Sequence, residues 1–274
     1  MNNRKKVFVL TRYSVLSKDA ARSWKIGQNS LEEYERVLFN NDRLDLHQNF
    51  FENLTLPALA KSISGSKLDI HHLIFISTKL PSPYKNKIYK TVSGLEYSSI
   101  YELSPDDKTL SSIEKIVGDM LVDEEDGAVY ATVRLDDDDA LHPSFFKNLE
   151  VYVNDSYTNM GVSFSRGYSG VYDGEKFSSF HKMNSINNAQ GQAFISKVDK
   201  SKTLRTVYGL KVAHSRLHWV CPVIVDGSKD MYIRTVHQHG DFYSKEYKDK
   251  MSSNDSVDRE IVFSSFELNT AKFM

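Results

Sequence analysis

Residues 128–143 read AVYATVRLDDDDALHP, and this stretch decides how the fold is interpreted. Its first part, Ala128–Leu135, is rich in β-branched, aromatic and apolar residues, which predicts a strand buried on both faces. The predicted strand runs directly into the aspartates Asp136–Asp139, and a short helix is predicted over 144–151. A strand that ends in polar side chains and leads into a helix indicates an α/β fold, in which ligands bind at the carboxyl ends of the strands.

Two earlier apolar runs, Val7–Leu10 and Leu73–Ile76, predict neighbouring strands of a mostly parallel sheet. Between them, apolar residues recur at helical spacing over 43–63, where Pro57 is expected to mark a kink or a new first turn. Strand, helix and strand in this order form a βαβ unit. The first half of the chain is therefore expected to be a parallel sheet flanked by helices.

The second half is expected to be more mixed. A helix is predicted over 104–121, with Ser104 as its N-cap and Pro105 at its first position. The polar stretch Lys182–Gln192 predicts an active-site loop. Further strand-like runs are predicted at 161–165, 193–196, 207–212 and 219–225.

The composition, with 40% apolar and 26% charged residues among 274, is typical of a soluble globular protein. The 35 basic and 36 acidic residues nearly cancel, which argues against a dedicated duplex-DNA binder, so no nucleic-acid partner is expected. The single cysteine, Cys221, suits a reducing compartment and is expected to be a small buried side chain. No apolar run approaches the roughly 18 residues of a membrane span, so a cytoplasmic location is expected, with peripheral attachment at the inner face of a membrane left open.

The four aspartates repel one another, so clustering them where they are partly buried is unfavourable unless a cation compensates. A solvated acidic turn is the alternative, but the cluster follows an apolar strand instead of lying in a polar neighbourhood. If the segment were extended, Asp136 and Asp138 would share one side and could bind one hard cation together. Oxygen ligands of this kind suit Mn²⁺ or Mg²⁺, which commonly bridge to substrate phosphates.

The segment Leu135–Pro143 resembles the strand-end DxD segment of GT-A glycosyltransferases. More specifically, the chain resembles the rhamnosyltransferase family of bacterial polysaccharide loci, over roughly residues 5–245. The shared elements are Thr11-Arg12-Tyr13-Ser14, Arg43 with Phe50-Phe51 and Thr55-Leu56-Pro57, Phe75-Ile76-Ser77-Thr78 with Leu80-Pro81, and Val133-Arg134-Leu135. The resemblance implies a GT-A-like domain over 1–245, with 246–274 as a C-terminal extension packed on it.

The resemblance also implies a nucleotide-diphosphate sugar donor, a glycan or lipid-linked acceptor, and a role in surface polysaccharide synthesis. In the metal site, Asp136 and Asp138 would be joined by His237, which stands in an Arg-x-x-His element of the kind found late in many GT-A chains. Asp139 would be a second ligand or a carboxylate on the acceptor side. The nucleotide-sugar-binding set would comprise Thr11, Arg12, Ser77, Thr78, Arg134, Asp137 and Arg234.

An inverting transferase needs a base that deprotonates the acceptor hydroxyl. The Glu-Asp pair of many GT-A chains is not evident, and His214 stands in its rough place, so His214 and Asp139 are the catalytic candidates. A retaining mechanism would need no such base. Two other classes compete: a Mg²⁺-dependent phosphohydrolase or nucleotidyltransferase that uses the same aspartates, and a calcium- or carbohydrate-binding module without activity.

Overall fold

A computed structural model describes residues 5–18, 30–202, 204–240 and 256–273. The strands are β1 (Lys6–Tyr13), β2 (Asp69–Ser77), β3 (Ser98–Leu103), β4 (Val129–Arg134), β5 (Ala140–Leu141), β6 (Met160–Tyr172), β7 (Phe177–Asn184), β8 (Ala193–Lys197), β9 (Val223–Val236) and β10 (Ser256–Val257). The α-helices are α1 (Leu31–Leu38), α2 (Asn41–Phe50), α3 (Leu56–Ser64), α4 (Ser82–Val92), α5 (Thr109–Met120), α6 (Phe145–Leu149) and α7 (Arg259–Ser265). A π-helical turn, Phe51–Thr55, joins α2 to α3, and short 3-10 turns cover Asp155–Tyr157, His214–Trp219 and Thr270–Lys272.

The described strands form one sheet in the order β10-β7-β6-β8-β4-β1-β2-β3, and β9 pairs with both β6 and β5. Strands β4, β1, β2 and β3 are parallel, whereas β8 joins β4 in the antiparallel direction and β6 and β7 continue that pattern. The predicted α/β class is therefore confirmed, with a mostly parallel first half and a mixed second half. The strand order reverses between β1 and β4, which is where ligands bind in open α/β sheets.

Both faces of the parallel part are covered, as the apolar run of β1 predicts. Val7 and Val9 pack with α3 and α6 on one face, while Phe8 and Leu10 pack with α5 on the other. All four side chains are fully buried. Because successive side chains on a strand point to opposite faces, an unbroken apolar run is what a strand between two helical layers requires.

The long helical segment before β2 follows the prediction closely. Helix α2, the π-helical turn and α3 run on without a break, because the residues at both joints, Phe51 and Leu56, have α-helical backbone angles. Pro57 lies in the first turn of α3, directly after the π-helical turn. The π turn inserts one extra residue per turn and so changes the direction in which the side chains on either side of it point.

One predicted helix starts later than expected, and one predicted strand is wrong. The helix predicted over 104–121 begins only at Thr109, since Asp107 accepts a hydrogen bond from the Ser104 N–H at 2.8 Å and holds the preceding residues in a turn. The run 207–212 is a series of turns instead of a strand, because the Val207 N–H donates to the Thr132 hydroxyl at 2.8 Å.

Other predicted strands exist with different limits. The run at 161–165 belongs to β6, which continues to Tyr172 because β7 and β9 flank it on both sides. The run at 219–225 starts too early, since β9 begins at Val223 after a 3-10 turn. Thr11 and Arg12, predicted to follow β1, instead lie near its end, where they pair with Ile74 and Phe75 of β2.

The C-terminal residues that the structure describes pack on the same body. Strand β10 pairs with β7, and the α7 side chains Val262 and Phe263 join an aromatic cluster that includes Phe50 and Phe177. The boundary predicted after residue 245 lies outside the described residues. No helix among those described is long and apolar enough to cross a bilayer.

His72 in β2 gives the fold a specific acid sensitivity. The ring is fully buried, with Nε2 at 2.9 Å from the Thr11 hydroxyl and Nδ1 at 3.2 Å from the Ser98 hydroxyl. Burial lowers the pKa of His72 from 6.5 to about 3. The unfolded chain therefore takes up a proton as the pH falls below 6.5, while the folded chain does not until about pH 3, so folding stability is lost across that interval.

We expect this group alone to lower the free energy of unfolding by about 2 kcal/mol between pH 7 and pH 5. A His72→Gln variant lacks the titration, so urea titrations at both pH values should show wild type losing about 2 kcal/mol more than the variant over that step. An equal loss in both proteins would contradict the assignment.

Candidate functional site

The aspartates Asp136–Asp139 lie in the connection between β4 and β5, beside the carboxyl end of β1. The condition under which Asp136 and Asp138 would share one side, an extended segment, is not met: the connection turns back, and the Asp139 N–H meets the Asp136 carbonyl oxygen at 3.4 Å. The side chains therefore fan out towards different elements. Asp136 and Asp138 still differ from the other two, because they are partly open to solvent, at 27% and 17% side-chain exposure, while Asp137 and Asp139 are buried.

Asp136 pairs with the guanidinium of Arg134, the last residue of β4. Nη2 of Arg134 lies 2.7 Å from one carboxylate oxygen and Nε lies 3.3 Å from the other, which is a bidentate arrangement. Burial acts to raise the pKa of Asp136, but the charge and hydrogen bonds of Arg134, together with the charge of Arg12, outweigh it and lower the pKa. Asp136 is thus held as a carboxylate whose charge Arg134 already compensates.

Beside the Arg134–Asp136 pair, the guanidinium groups of Arg12 and Arg134 both lie near the ring of Tyr208. The guanidinium carbon of Arg12 lies 4.5 Å from the centre of the Tyr208 ring, and that of Arg134 lies 5.9 Å away. The Tyr208 hydroxyl donates to the Leu10 carbonyl oxygen at 3.3 Å. The ends of β1 and β4 thereby bring two positive charges together at the point where the strand order reverses.

Asp137 faces inward, towards α2. Its Oδ1 lies 3.1 Å from Nδ1 of His47, and its carbonyl oxygen accepts a hydrogen bond from the Thr55 hydroxyl at 3.0 Å. Burial and the neighbouring charge of Asp138 raise the pKa of Asp137 well above its ordinary value. Asp137 therefore ties the turn to α2 and to the π-helical turn.

Asp138 meets a histidine from the far end of β9. Its Oδ2 lies 2.8 Å from Nε2 of His237, which is fully buried. The His237 ring stands nearly perpendicular to that of His47 at 5.2 Å between centres, and the Phe50 ring lies 5.3 Å from it. Burial acts to raise the pKa of Asp138, but the hydrogen bond and charge of His237 outweigh it, so the pKa is lowered.

His47, Asp138 and His237 can together bind a metal ion. One ligand atom from each of them falls within 4.8 Å of the other two, and within the described ranges no further group of three His, Cys, Asp or Glu side chains comes this close. Two imidazoles and one carboxylate form a donor set that suits first-row divalent metals.

Asp139 connects the turn to β9 and to the polar loop before β8. Its two oxygens accept hydrogen bonds from the Thr235 N–H at 3.1 Å and from the Gln190 amide at 2.8 Å. The residue after Gln190, Gly191, has a φ of +68°, and a Cβ there would lie 2.4 Å from the Phe145 ring, so only glycine fits. Burial and the charge of Asp138 raise the pKa of Asp139 well above its ordinary value.

His214, another residue predicted for the site, lies near Arg134, and the charge of Arg234 reaches His214. Nδ1 of His214 lies 3.4 Å from Nη1 of Arg134, and Gln192 donates to the His214 carbonyl oxygen at 3.1 Å. Burial and the charge of Arg134 lower the pKa of His214 to about 4, with a smaller contribution from Arg234. The predicted histidine is therefore brought to the aspartate turn, but as a weak proton acceptor whose Nδ1 already faces a donor.

Three residues that were predicted to contact the nucleotide form hydrogen bonds within the protein in this structure. The Thr11 hydroxyl is buried against His72, and the Ser77 hydroxyl accepts a hydrogen bond from the Lys79 N–H at 3.1 Å. Thr78 is exposed, and its N–H donates to the Leu103 carbonyl oxygen at 2.9 Å. Their role in binding a nucleotide sugar stays a prediction.

Sequence reasoning missed His47 and Gln190 as members of the site. His47 lies in the helical segment predicted over 43–63 and belongs to no local motif, so nothing in its neighbourhood marks it as a functional residue. The sequence did contain an indication of Gln190, because this residue lies in the polar stretch that predicts an active-site loop. Tyr208 lies in a run predicted as a strand, and only the turns found there explain how it reaches β1.

Comparison with solved structures gives distant matches. Two crystal structures of S. aureus TarS residues 1–349, in complex with UDP and with UDP-GlcNAc, match with TM-scores of 0.41 and 0.40 at 10% and 11% identity. They cover 85% and 95% of this chain, which spans 60% and 64% of theirs. The inositol-1-phosphate CTP transferase from T. maritima matches with a TM-score of 0.35 at 12% identity, over 91% of this chain and 97% of its own. At such TM-scores nothing about function follows from these likenesses.

No curated protein matches the sequence significantly. A sequence model of one family does match, under the description "Putative rhamnosyl transferase", over residues 6–249. The match includes β1, the aspartate turn, the polar loop and His237, and it covers most of the chain. The chain therefore belongs to this family of glycosyltransferases, as the motifs around Asp136–Asp139 predict.

Proposed function

We propose that this protein transfers a sugar from a nucleotide-diphosphate donor to a hydroxyl group of an acceptor, with the help of a divalent metal ion at the aspartate turn. One observation carries the proposal beyond family membership. The carboxylates that are open to solvent, Asp136 and Asp138, lie where the strand order reverses, between an arginine pair on one side and His237 on the other.

The charges around the turn support a cation at Asp138. Asp136 is neutralised by Arg134, while Asp137 and Asp139 are buried and have raised pKa values. Asp138 is the carboxylate that is kept ionised beside His237 and still reaches solvent. Carboxylate and imidazole donors together fit Mn²⁺ well and Mg²⁺ less well, although both remain within the proposal.

The departing nucleoside diphosphate gains negative charge as the glycosidic bond breaks. Arg12 and Arg134 would bind its phosphates, because both guanidinium groups lie at the carboxyl ends of β1 and β4 and one ring orients them. A bound divalent ion would supply further positive charge to the same diphosphate. Asp136 would then keep Arg134 in position and complete the DxD pair with Asp138.

The pKa values of His214 and Asp139 bear on which residue could be the catalytic base. A ring whose pKa is about 4 is a poor proton acceptor at neutral pH, which disfavours His214 as the base. Asp139 has the raised pKa of a suitable base, but both of its oxygens accept hydrogen bonds from Thr235 and Gln190. We propose that His214 holds Arg134 and that Asp139 positions the loop. The base would then be a group that becomes available only when the acceptor is bound, or no base is needed because the mechanism is retaining.

The acceptor, the location and the extent of the catalytic domain are part of the same proposal. We propose a glycan or lipid-linked acceptor in surface polysaccharide synthesis, at the inner face of a membrane, with 1–245 as the catalytic domain and 246–274 as an extension of it. The family match over 6–249 supports the extent of the domain.

The test is a panel of nucleotide-diphosphate sugars with Mn²⁺ or Mg²⁺ and the pure protein. Thermal stabilisation by one donor, followed by release of its free nucleoside diphosphate, is the expected result. Release of a nucleoside monophosphate and a sugar 1-phosphate would instead indicate a phosphohydrolase. Release of pyrophosphate from a nucleoside triphosphate supplied with a sugar 1-phosphate would indicate a nucleotidyltransferase. If no nucleotide sugar stabilises the protein with either metal, glycosyl transfer is excluded as its function.

A further inference from the structure

His47 is a buried histidine that has one ring nitrogen without a partner. The residue is only 5% exposed, and among the described residues no group forms a hydrogen bond with its Nε2. Buried polar atoms are almost always paired, because an unpaired one costs about 1–3 kcal/mol. A histidine that served only to fill the core between α2 and β9 would not need this unpaired nitrogen.

Asp137 holds the ring by its other nitrogen. The carboxylate oxygen lies 3.1 Å from Nδ1, and the Thr55 hydroxyl fixes the Asp137 backbone at 3.0 Å. An Nδ1–H that donates to Asp137 leaves the lone pair on Nε2. Histidines that bind metals typically have this carboxylate behind them, because it fixes both the tautomer and the orientation of the ring.

The His47 ring lies beside Asp138 and His237. The ligand atoms of the three residues lie within 4.8 Å of one another, and the imidazole rings of His47 and His237 are nearly perpendicular at 5.2 Å. Ligands about 2.1 Å from one ion can be at most about 4.2 Å apart. A contraction of about half an ångström would therefore let all three bind a single ion.

We infer that His47, Asp138 and His237 are the three protein ligands of the metal ion, and that Asp136 is not a ligand. This inference rests on the proposed function and specifies its metal site. Asp136 is occupied by two nitrogens of Arg134, whereas Nε2 of His47 has no partner among the described side chains. Asp137 becomes a positioning residue that acts through His47, instead of a contact of the sugar nucleotide.

The ligand set determines which metals bind. Two imidazoles and a carboxylate suit Mn²⁺ and other first-row metals, while Mg²⁺ prefers oxygen ligands. Asp138 is the partly exposed member of the set, so the remaining coordination positions would face solvent and the donor phosphates. We therefore expect Mn²⁺ to bind at least about tenfold more tightly than Mg²⁺ in the absence of any nucleotide.

The test uses Mn²⁺ alone with the full chain, followed by isothermal titration and by electron spin echo spectroscopy of the bound ion. The wild-type spectrum should contain the nitrogen modulation of two directly bound imidazoles. His47→Ala should remove one of them and weaken Mn²⁺ binding about 100-fold, as the loss of a ligand does, whereas Asp136→Asn should change the affinity less than about threefold. Asp137→Asn should weaken binding by about tenfold while both nitrogens remain.

The wild-type spectrum decides the matter even if His47→Ala does not fold. A single bound imidazole, together with a large loss of affinity in Asp136→Asn, would overturn the inference and leave a metal-dependent transferase with a carboxylate pair. If Mn²⁺ does not bind at all, the inference also fails. Activity that persists in EDTA would then show that glycosyl transfer stands without a metal, and its absence with every donor would remove the proposed function itself.

Discussion

Replacing Asp138 with asparagine is expected to lower kcat/KM for sugar transfer by about 10³-fold. The Asp138→Asn change keeps the size of the side chain but removes the charge that reaches solvent beside His237. With that charge gone, the divalent ion would bind weakly and the departing diphosphate would lose its main source of stabilisation. A loss of about 10³-fold corresponds to about 4 kcal/mol of transition-state stabilisation. Release of nucleoside diphosphate from the preferred donor, measured at several Mn²⁺ concentrations, gives kcat/KM for both proteins.

A matched control is available on the surface of α5. Asp119 is 63% exposed and pairs with Lys115, so Asp119→Asn removes an equal charge from the exposed face of a helix and should change kcat/KM less than about twofold. Partial rescue of the Asp138 variant at high Mn²⁺ would agree with weakened metal binding. A variant that keeps more than about one tenth of wild-type activity at low Mn²⁺ would contradict the role of Asp138.

The junction of β4 with the aspartates could be predicted because its signal is local. An apolar run of this length forms a buried strand almost wherever it occurs, and the polar residues after it must lie at the edge of the sheet. The direction of each carboxylate could not be predicted in the same way. Because all four residues are aspartates, residue type cannot distinguish their roles. Each side chain is oriented by a partner from elsewhere in the chain.

His47 shows why the rest of the site was not accessible to sequence reasoning. It stands 90 residues before Asp137, on a helix whose pattern indicates only burial. Its position beside His237 depends on how α2 and its π-helical turn pack against the end of β9. The helix start predicted at Ser104 was wrong for a related reason, because side-chain hydrogen bonds of a turn competed with helix formation at residues that would also suit a helix start.

Phe50 connects the metal-ligand cluster to the C-terminal segment, and we expect Phe50→Ala to cause the largest loss of stability. The ring is fully buried, and ring centres of Tyr172, Phe273 and His237 lie 5.0, 5.8 and 5.3 Å from its own. Truncation would remove the apolar area of the ring and leave a cavity among rigid aromatic neighbours. Such changes cost about 3–5 kcal/mol.

In a chain of this size that loss corresponds to a fall in Tm of roughly 10 °C, which thermal and urea unfolding would both record. Ile261 on α7 offers a control, because it is 62% exposed and Ile261→Ala should change the free energy of unfolding by less than about 0.5 kcal/mol. The Phe50 ring also lies against the His237 ring, so its loss should weaken Mn²⁺ binding in the protein that remains folded. A Phe50→Ala variant that loses less than about 1 kcal/mol would mean that the aromatic cluster is loosely packed, and His237 would then not be held in place by this helix.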